Sequence, residues 1–138
     1  MSARPVVLVA DDDPDILLLI SLTLERDGYR VVAARDGQSA LDAARVCIPH
    51  LVVLDLMMPG IDGYEVTRLL RADEATKDVP IVVVTAMAEE SEAARALEAG
   101  ADAYVKKPFS PRELLAKTGS LLLDRRPRSR LFATKQPS

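Results

Sequence analysis

The stretch Val7-Leu8-Val9-Ala10-Asp11-Asp12-Asp13-Pro14-Asp15 passes without a break from small apolar residues into a knot of carboxylates. Its apolar half does not alternate with polar residues, so it reads as a strand buried on both faces. Its acidic half reads as the point where that strand leaves the core. Asp13 is placed to cap a helix whose first residue is Pro14, and Gly28 stands just past that helix's end.

The alternation recurs along the chain. Short runs rich in Val, Ile or Leu at 5–10, 29–34, 51–54, 81–85 and 103–106 are separated by helical patterns with their own punctuation. Asp62 or Gly63 opens the third helix, Ala99-Gly100 closes the fourth, and Ser110-Pro111-Arg112-Glu113 is a capping-box pattern for the fifth. Five strand-helix repeats joined by right-handed crossovers build one parallel sheet covered by helices on both faces.

Composition agrees with one such unit. At 138 residues, 49% hydrophobic and 28% charged, the chain suits one globular core, and no apolar run reaches the roughly 18 residues of a membrane span. Cys47 is the only cysteine and no signal segment is visible, so a disulfide framework is excluded and a cytoplasmic location is expected, with no membrane partner. The net charge of -3 hides an asymmetry: residues 1–124 carry -8, whereas 125–138 carry +5 through Arg125, Arg126, Arg128, Arg130 and Lys135. We read 4–124 as the domain and 125–138 as a basic tail or linker. No groove-reading motif surrounds the basic run, so no nucleic acid is expected to bind this domain itself.

In an open parallel sheet, ligands bind beyond the carboxyl ends of the strands. Asp11 and Asp12 follow the first strand, Asp55 ends the third, Thr85 ends the fourth and Lys107 follows the fifth. Crowded carboxylates raise one another's pKa and need a cation. Hard oxygen donors in a small open site suit Mg²⁺, while Lys107 and Thr85 offer a charge and a hydroxyl to an approaching phosphoryl group. Asp11, Asp13 and Asp15 also mimic the start of a calcium-binding EF-hand loop, but Ile16 and Leu22 stand where that loop needs Gly and Glu. Asp13 and Asp15 are better explained by capping and the helix dipole.

Asp11-Asp12, Asp55 within Leu-Asp-Leu-Met-Met-Pro-Gly-Ile-Asp-Gly, Thr85-Ala86 and Lys107-Pro108-Phe109 together resemble the receiver domain of two-component response regulators. The resemblance implies a flavodoxin-like fold with strand order 2-1-3-4-5. It implies that Asp55 is the phosphorylated nucleophile, and that Asp11, Asp12, Asp55 and the backbone carbonyl of Met57 hold Mg²⁺. It further implies that Lys107 pairs with the phosphoryl oxygens and that the Lys107-Pro108 bond is cis. The donor is expected to be the phosphohistidine of a sensor histidine kinase or phosphotransfer protein. His50, the only histidine, precedes the third strand and reads as a loop residue.

The same resemblance makes Thr85 and Tyr104 the switch pair, with readout on the fourth helix, fifth strand and fifth helix, a surface also suited to self-association. Such a domain catalyses its own phosphorylation and dephosphorylation but turns over no outside substrate. The resemblance also implies that Met57 and Met87 flank the path of attacking water; both are bulky and apolar, which predicts slower decay than in a variant with small polar residues there. On the first helix, Ile16, Leu19, Ile20, Thr23 and Leu24 fall at core spacing, leaving Leu17, Leu18 and Leu22 as an apolar patch. The resemblance places kinase docking along that helix; packing against a loop and self-association are the alternatives. The competing functional class is a docking module that keeps the fold but needs no phosphorylation. An intact set of Asp11, Asp12, Asp55, Thr85 and Lys107 argues against it. The short stretch after the fifth helix leaves two outputs open: action through contacts alone, or a receiver belonging to a larger regulator.

Overall fold

Alternation along each strand feeds two separate cores, one on each side of a parallel sheet. The computed structural model describes residues 4–86 and 90–123. Its elements are β1 (Val6–Ala10), α1 (Pro14–Arg26), β2 (Arg30–Ala34), α2 (Gly37–Cys47), β3 (Leu51–Asp55), α3 (Gly63–Ala72), β4 (Ile81–Thr85), α4 (Glu90–Ala99), β5 (Ala103–Lys106) and α5 (Pro111–Leu123). The strands lie in the order β2-β1-β3-β4-β5, all pairings parallel. Val7, Val9, Leu51, Val53, Val82 and Val84 point to the face covered by α1 and α5, while Leu8, Ala10, Val52, Leu54, Ile81 and Val83 point to α2, α3 and α4. Burial on both faces explains why these strands read as unbroken apolar runs.

The expected punctuation is present. The Asp13 carboxylate accepts from the backbone N–H groups of Asp15 at 2.9 Å and Ile16 at 3.4 Å, with Pro14 opening α1. Asp62 caps α3 by accepting from Glu65 N at 2.9 Å, and Ser110 Oγ accepts from Glu113 N at 3.1 Å to start α5. His50 lies at the opposite end of β3 from Asp55, where its Nδ1 accepts from Val6 N at 2.9 Å. No helix among the described residues is long and apolar enough to cross a membrane. The basic stretch 125–138 and Met87 lie outside the described residues.

One expectation fails. On α1 the sheet buries Leu17, Ile20 and Leu24, whereas Leu19 is 43% exposed beside Leu18 at 58% and Leu22 at 41%. Ile16 is partly buried against the same core. The inward face is therefore i, i+3, i+7 from Leu17, and Leu17 and Leu19 exchange roles relative to the sequence reading. A run of Leu-Leu-Leu-Ile presents almost equally apolar stripes in neighbouring phases. Contact with α5 and the sheet selects the phase, which local periodicity cannot.

Candidate functional site: an acidic pocket at the carboxyl edge of the sheet

The site forms where connections from the adjacent strands β1 and β3 depart to opposite faces. Ala10 pairs with Leu54, so Asp11 and Asp55 leave the sheet side by side. Asp11 is fully buried, Asp55 is 5% exposed and Asp12 is exposed. One carboxylate oxygen from each of the three lies within 4.8 Å of the others. Lys107 Nζ stands 3.0 Å from Asp11 Oδ2 and 3.6 Å from Asp55 Oδ1. The ladder continues to Lys107, whose backbone N–H donates to the Thr85 carbonyl at 2.7 Å, and the Lys107-Pro108 bond is cis.

Backbone donors hold the carboxylates in place. Asp11 Oδ1 accepts from Asp13 N at 2.9 Å, and Asp55 Oδ1 accepts from Met57 N at 3.3 Å. Beneath Asp55 the chain has no slack: a Cβ on Gly63 would lie 2.5 Å from the Asp55 carbonyl oxygen and 2.6 Å from Leu56 Cα, and Gly63 N donates to Leu56 O at 2.9 Å. Only glycine lets α3 start this close to the strand end.

One ammonium cannot neutralise three carboxylates. Burial and the neighbouring Asp11 charge push Asp55 up to about 6, Lys107 and the Met57 N–H pull it down, and Asp12 adds a smaller push. The site is thus an oxygen-rich cluster short of positive charge. Three clustered carboxylates, one of them facing solvent, fit a small divalent cation that keeps part of its water shell.

Asp11, Asp12, Asp55, Met57, Thr85 and Lys107 gather along this edge, with differing exposure. Thr85 is buried and one residue beyond the Asp55–Val84 pair. The Met57 side chain is 58% exposed, at the mouth. Tyr104 pairs with Val83 and so lies two positions below Thr85 on the same face of the next strand, 40% exposed. Two arrangements escaped the sequence reading. Tyr64, Glu92 and Arg95 join α3 to α4, and Arg71 joins α3 to Asp102 before β5. Their partners are 28 and 31 residues apart, a separation no local pattern signals.

A doubly wound sheet of this order with an acidic crevice at its switch point defines the class of protein. The response regulator receiver domain model matches residues 7–118, and the chain belongs to that family. It is 44% identical over 119 residues to the DNA-binding response regulator MtrA of Mycolicibacterium smegmatis, covering 86% of this chain and 51% of that protein. The chain therefore spans about half the length of that relative. Among solved structures it resembles the chemotaxis protein CheY4 of Vibrio cholerae, with a TM-score of 0.82 and 30% identity over 86% of this chain and 99% of that one. It equally resembles the receiver domain of the sensor histidine kinase PA1611 of Pseudomonas aeruginosa, at TM-score 0.83 and 32% identity over 88% of this chain and 100% of that one; there a magnesium ion is coordinated in the active-site cleft.

Proposed function

We propose that this receiver domain accepts a phosphoryl group on Asp55. The observation that carries the reading is the shared geometry of Asp11, Asp55 and Lys107: a nearly buried carboxylate with a cation 3.6 Å away and a second carboxylate ready to hold a metal. One Asp55 oxygen attacks phosphorus, forming an O–P bond as the P–N bond to a donor imidazole breaks. The departing nitrogen takes its proton from solvent. No general base is required, since the ionised carboxylate is itself the nucleophile.

Asp11, Asp12, Asp55 and the Met57 carbonyl would hold Mg²⁺. Bound there, the ion supplies positive charge to the phosphoryl oxygens. Lys107 exchanges its contact with Asp55 for the incoming phosphoryl group, and its bond to Asp11 keeps the ammonium aimed at the pocket. Thr85 donates to the new phosphoryl oxygen, and Tyr104 turns inward on the adjacent strand, altering the surface of α4, β5 and α5. That surface is also the one assigned to self-association. The donor is a sensor histidine kinase or phosphotransfer protein, and Leu18, Leu19 and Leu22 on α1 form its apolar contact.

The test is incubation with Mg²⁺ and acetyl phosphate, followed by intact-mass and peptide analysis. One added phosphoryl group on Asp55, lost in Asp55→Asn and on removal of Mg²⁺, is the expected result. A protein that folds and takes up Mg²⁺ yet gains no mass would instead be a docking module. Leu18→Glu is expected to slow labelling by a kinase while leaving labelling by acetyl phosphate unchanged; equal slowing of both would remove α1 from the contact.

A further inference from the structure

Tyr64 is the second residue of α3 and immediately follows Gly63, which is seated against the Asp55 and Leu56 backbone with no room for a side chain. The ring is 5% exposed, yet its hydroxyl reaches across to α4 and donates to Glu92 Oε2 at 2.6 Å. The same oxygen is approached by Arg95 Nη1 at 3.4 Å, and the Arg95 guanidinium lies 4.2 Å from the centre of the Tyr64 ring. A short bond to a charged acceptor, screened by the ring and by a stacked cation, is stronger than an ordinary surface contact. Burial and the Glu92 carboxylate push the phenol up to about 12, so Tyr64 remains a donor throughout the physiological range.

Position gives this bond its consequence. Glu92 is in the first turn of α4, the helix that follows Thr85 in the chain. One end of the contact thus adjoins the backbone beneath Asp55, and the other is on the first turn of a helix whose surface the proposed switch alters. We propose that the Tyr64–Glu92 bond is a latch that holds the first turns of α4 against α3 and so sets how far the switch equilibrium favours the unphosphorylated arrangement. Breaking it removes a contact made in that arrangement and lowers the cost of moving α4. By reciprocity, a phosphoryl mimic at Asp55 then binds more tightly. Tyr64 is a positioning residue here, acting on α4 and touching no reacting atom.

The inference rests on the phosphoacceptor reading for its link to Asp55, and two measurements separate them. Tyr64→Phe keeps the buried ring and removes only the hydroxyl; Glu92→Ala removes the acceptor from a partly exposed helical position and tolerates folding independently. In the protein alone, both are expected to speed amide exchange over 93–97 by about tenfold relative to α2, with the double variant no faster than either single one. With Mg²⁺ present, both are expected to saturate with beryllofluoride at about fivefold lower concentration, followed by the amide resonances of Thr85 and Tyr104. A residue with a merely structural role would not tighten ligand binding. Unchanged exchange over 93–97, additive effects in the double variant, or unaltered beryllofluoride affinity in variants that do exchange faster would each overturn the latch. If the unmodified protein does not respond to beryllofluoride at all, the phosphoacceptor reading has failed, and the latch stands or falls on the exchange cycle.

Discussion

The two edges of the sheet treat charge in opposite ways. At the edge away from the pocket, Asp102 is paired with Arg71 at 2.8 Å and also accepts from Ile81 N at 2.8 Å. Arg71 also donates to the carbonyls of Gly100 at 2.9 Å, Lys77 at 3.1 Å and Val79 at 2.6 Å. The charges are matched and their hydrogen bonds made. At the pocket edge, three carboxylates share one ammonium, and Asp55 is forced up to about 6. The contrast shows where the protein spends its stability: one edge clamps α3 to the starts of β4 and β5, while the other keeps a charge deficit available for a cation and an anion from outside.

Three substitutions sharpen that contrast, in order of expected size. Arg71→Ala strands Asp102 and several carbonyls away from water, and is expected to cost about 3 kcal/mol in urea unfolding. A loss under about 1 kcal/mol would mean that the opposite edge is no clamp. Asp55→Asn is expected to do the reverse. The folded-state pKa of Asp55 is raised above the ordinary value near 4, so its favourable contribution is complete below about pH 4 and lost as pH rises through about 6. Without divalent cations, Asp55→Asn should therefore be more stable than the native chain by about 2 kcal/mol at pH 7, converging with it near pH 4. Equal stability at pH 7 would contradict the charge deficit. Mg²⁺ should raise the melting temperature of the native chain more than that of the variant, because the variant has lost one of the clustered carboxylates.

The smallest effect concerns backbone strain at the edge away from the pocket. Ile48, at the end of α2, holds φ at 41° and ψ at 77°, a left-handed conformation that a β-branched residue adopts at a cost. Its side chain is 42% exposed, so little packing offsets that cost. Ile48→Gly is expected to stabilise the protein by about 1 kcal/mol without altering phosphoryl uptake. Destabilisation would show that the Ile48 side chain makes contacts worth more than its backbone strain.

Much of this was legible along the chain. The strand runs, the caps at Asp13, Asp62 and Ser110, and the glycines that end helices are local signals, because a hydrogen bond between residues two or three apart is written into adjacent positions. The carboxylates at 11, 12 and 55 and the lysine at 107 were recoverable because a parallel topology sends every strand's carboxyl end to one edge. The α1 face was misread because leucines at 17, 18 and 19 leave the helical phase degenerate, and only the packed neighbours break the tie.

Element order, the parallel sheet and the edge on which its chemistry gathers can be read from residue order alone, since hydrophobic period and capping depend on near neighbours and the crossover rule supplies the rest. Packing in three dimensions sets the distances that put Asp55 beside both Lys107 and Asp11, Arg71 against Asp102, and Tyr64 within reach of Glu92. Those pairs are joined through space across the sheet and between helices. Their distances and burial depend on how whole elements pack, a quantity that no window of residues contains.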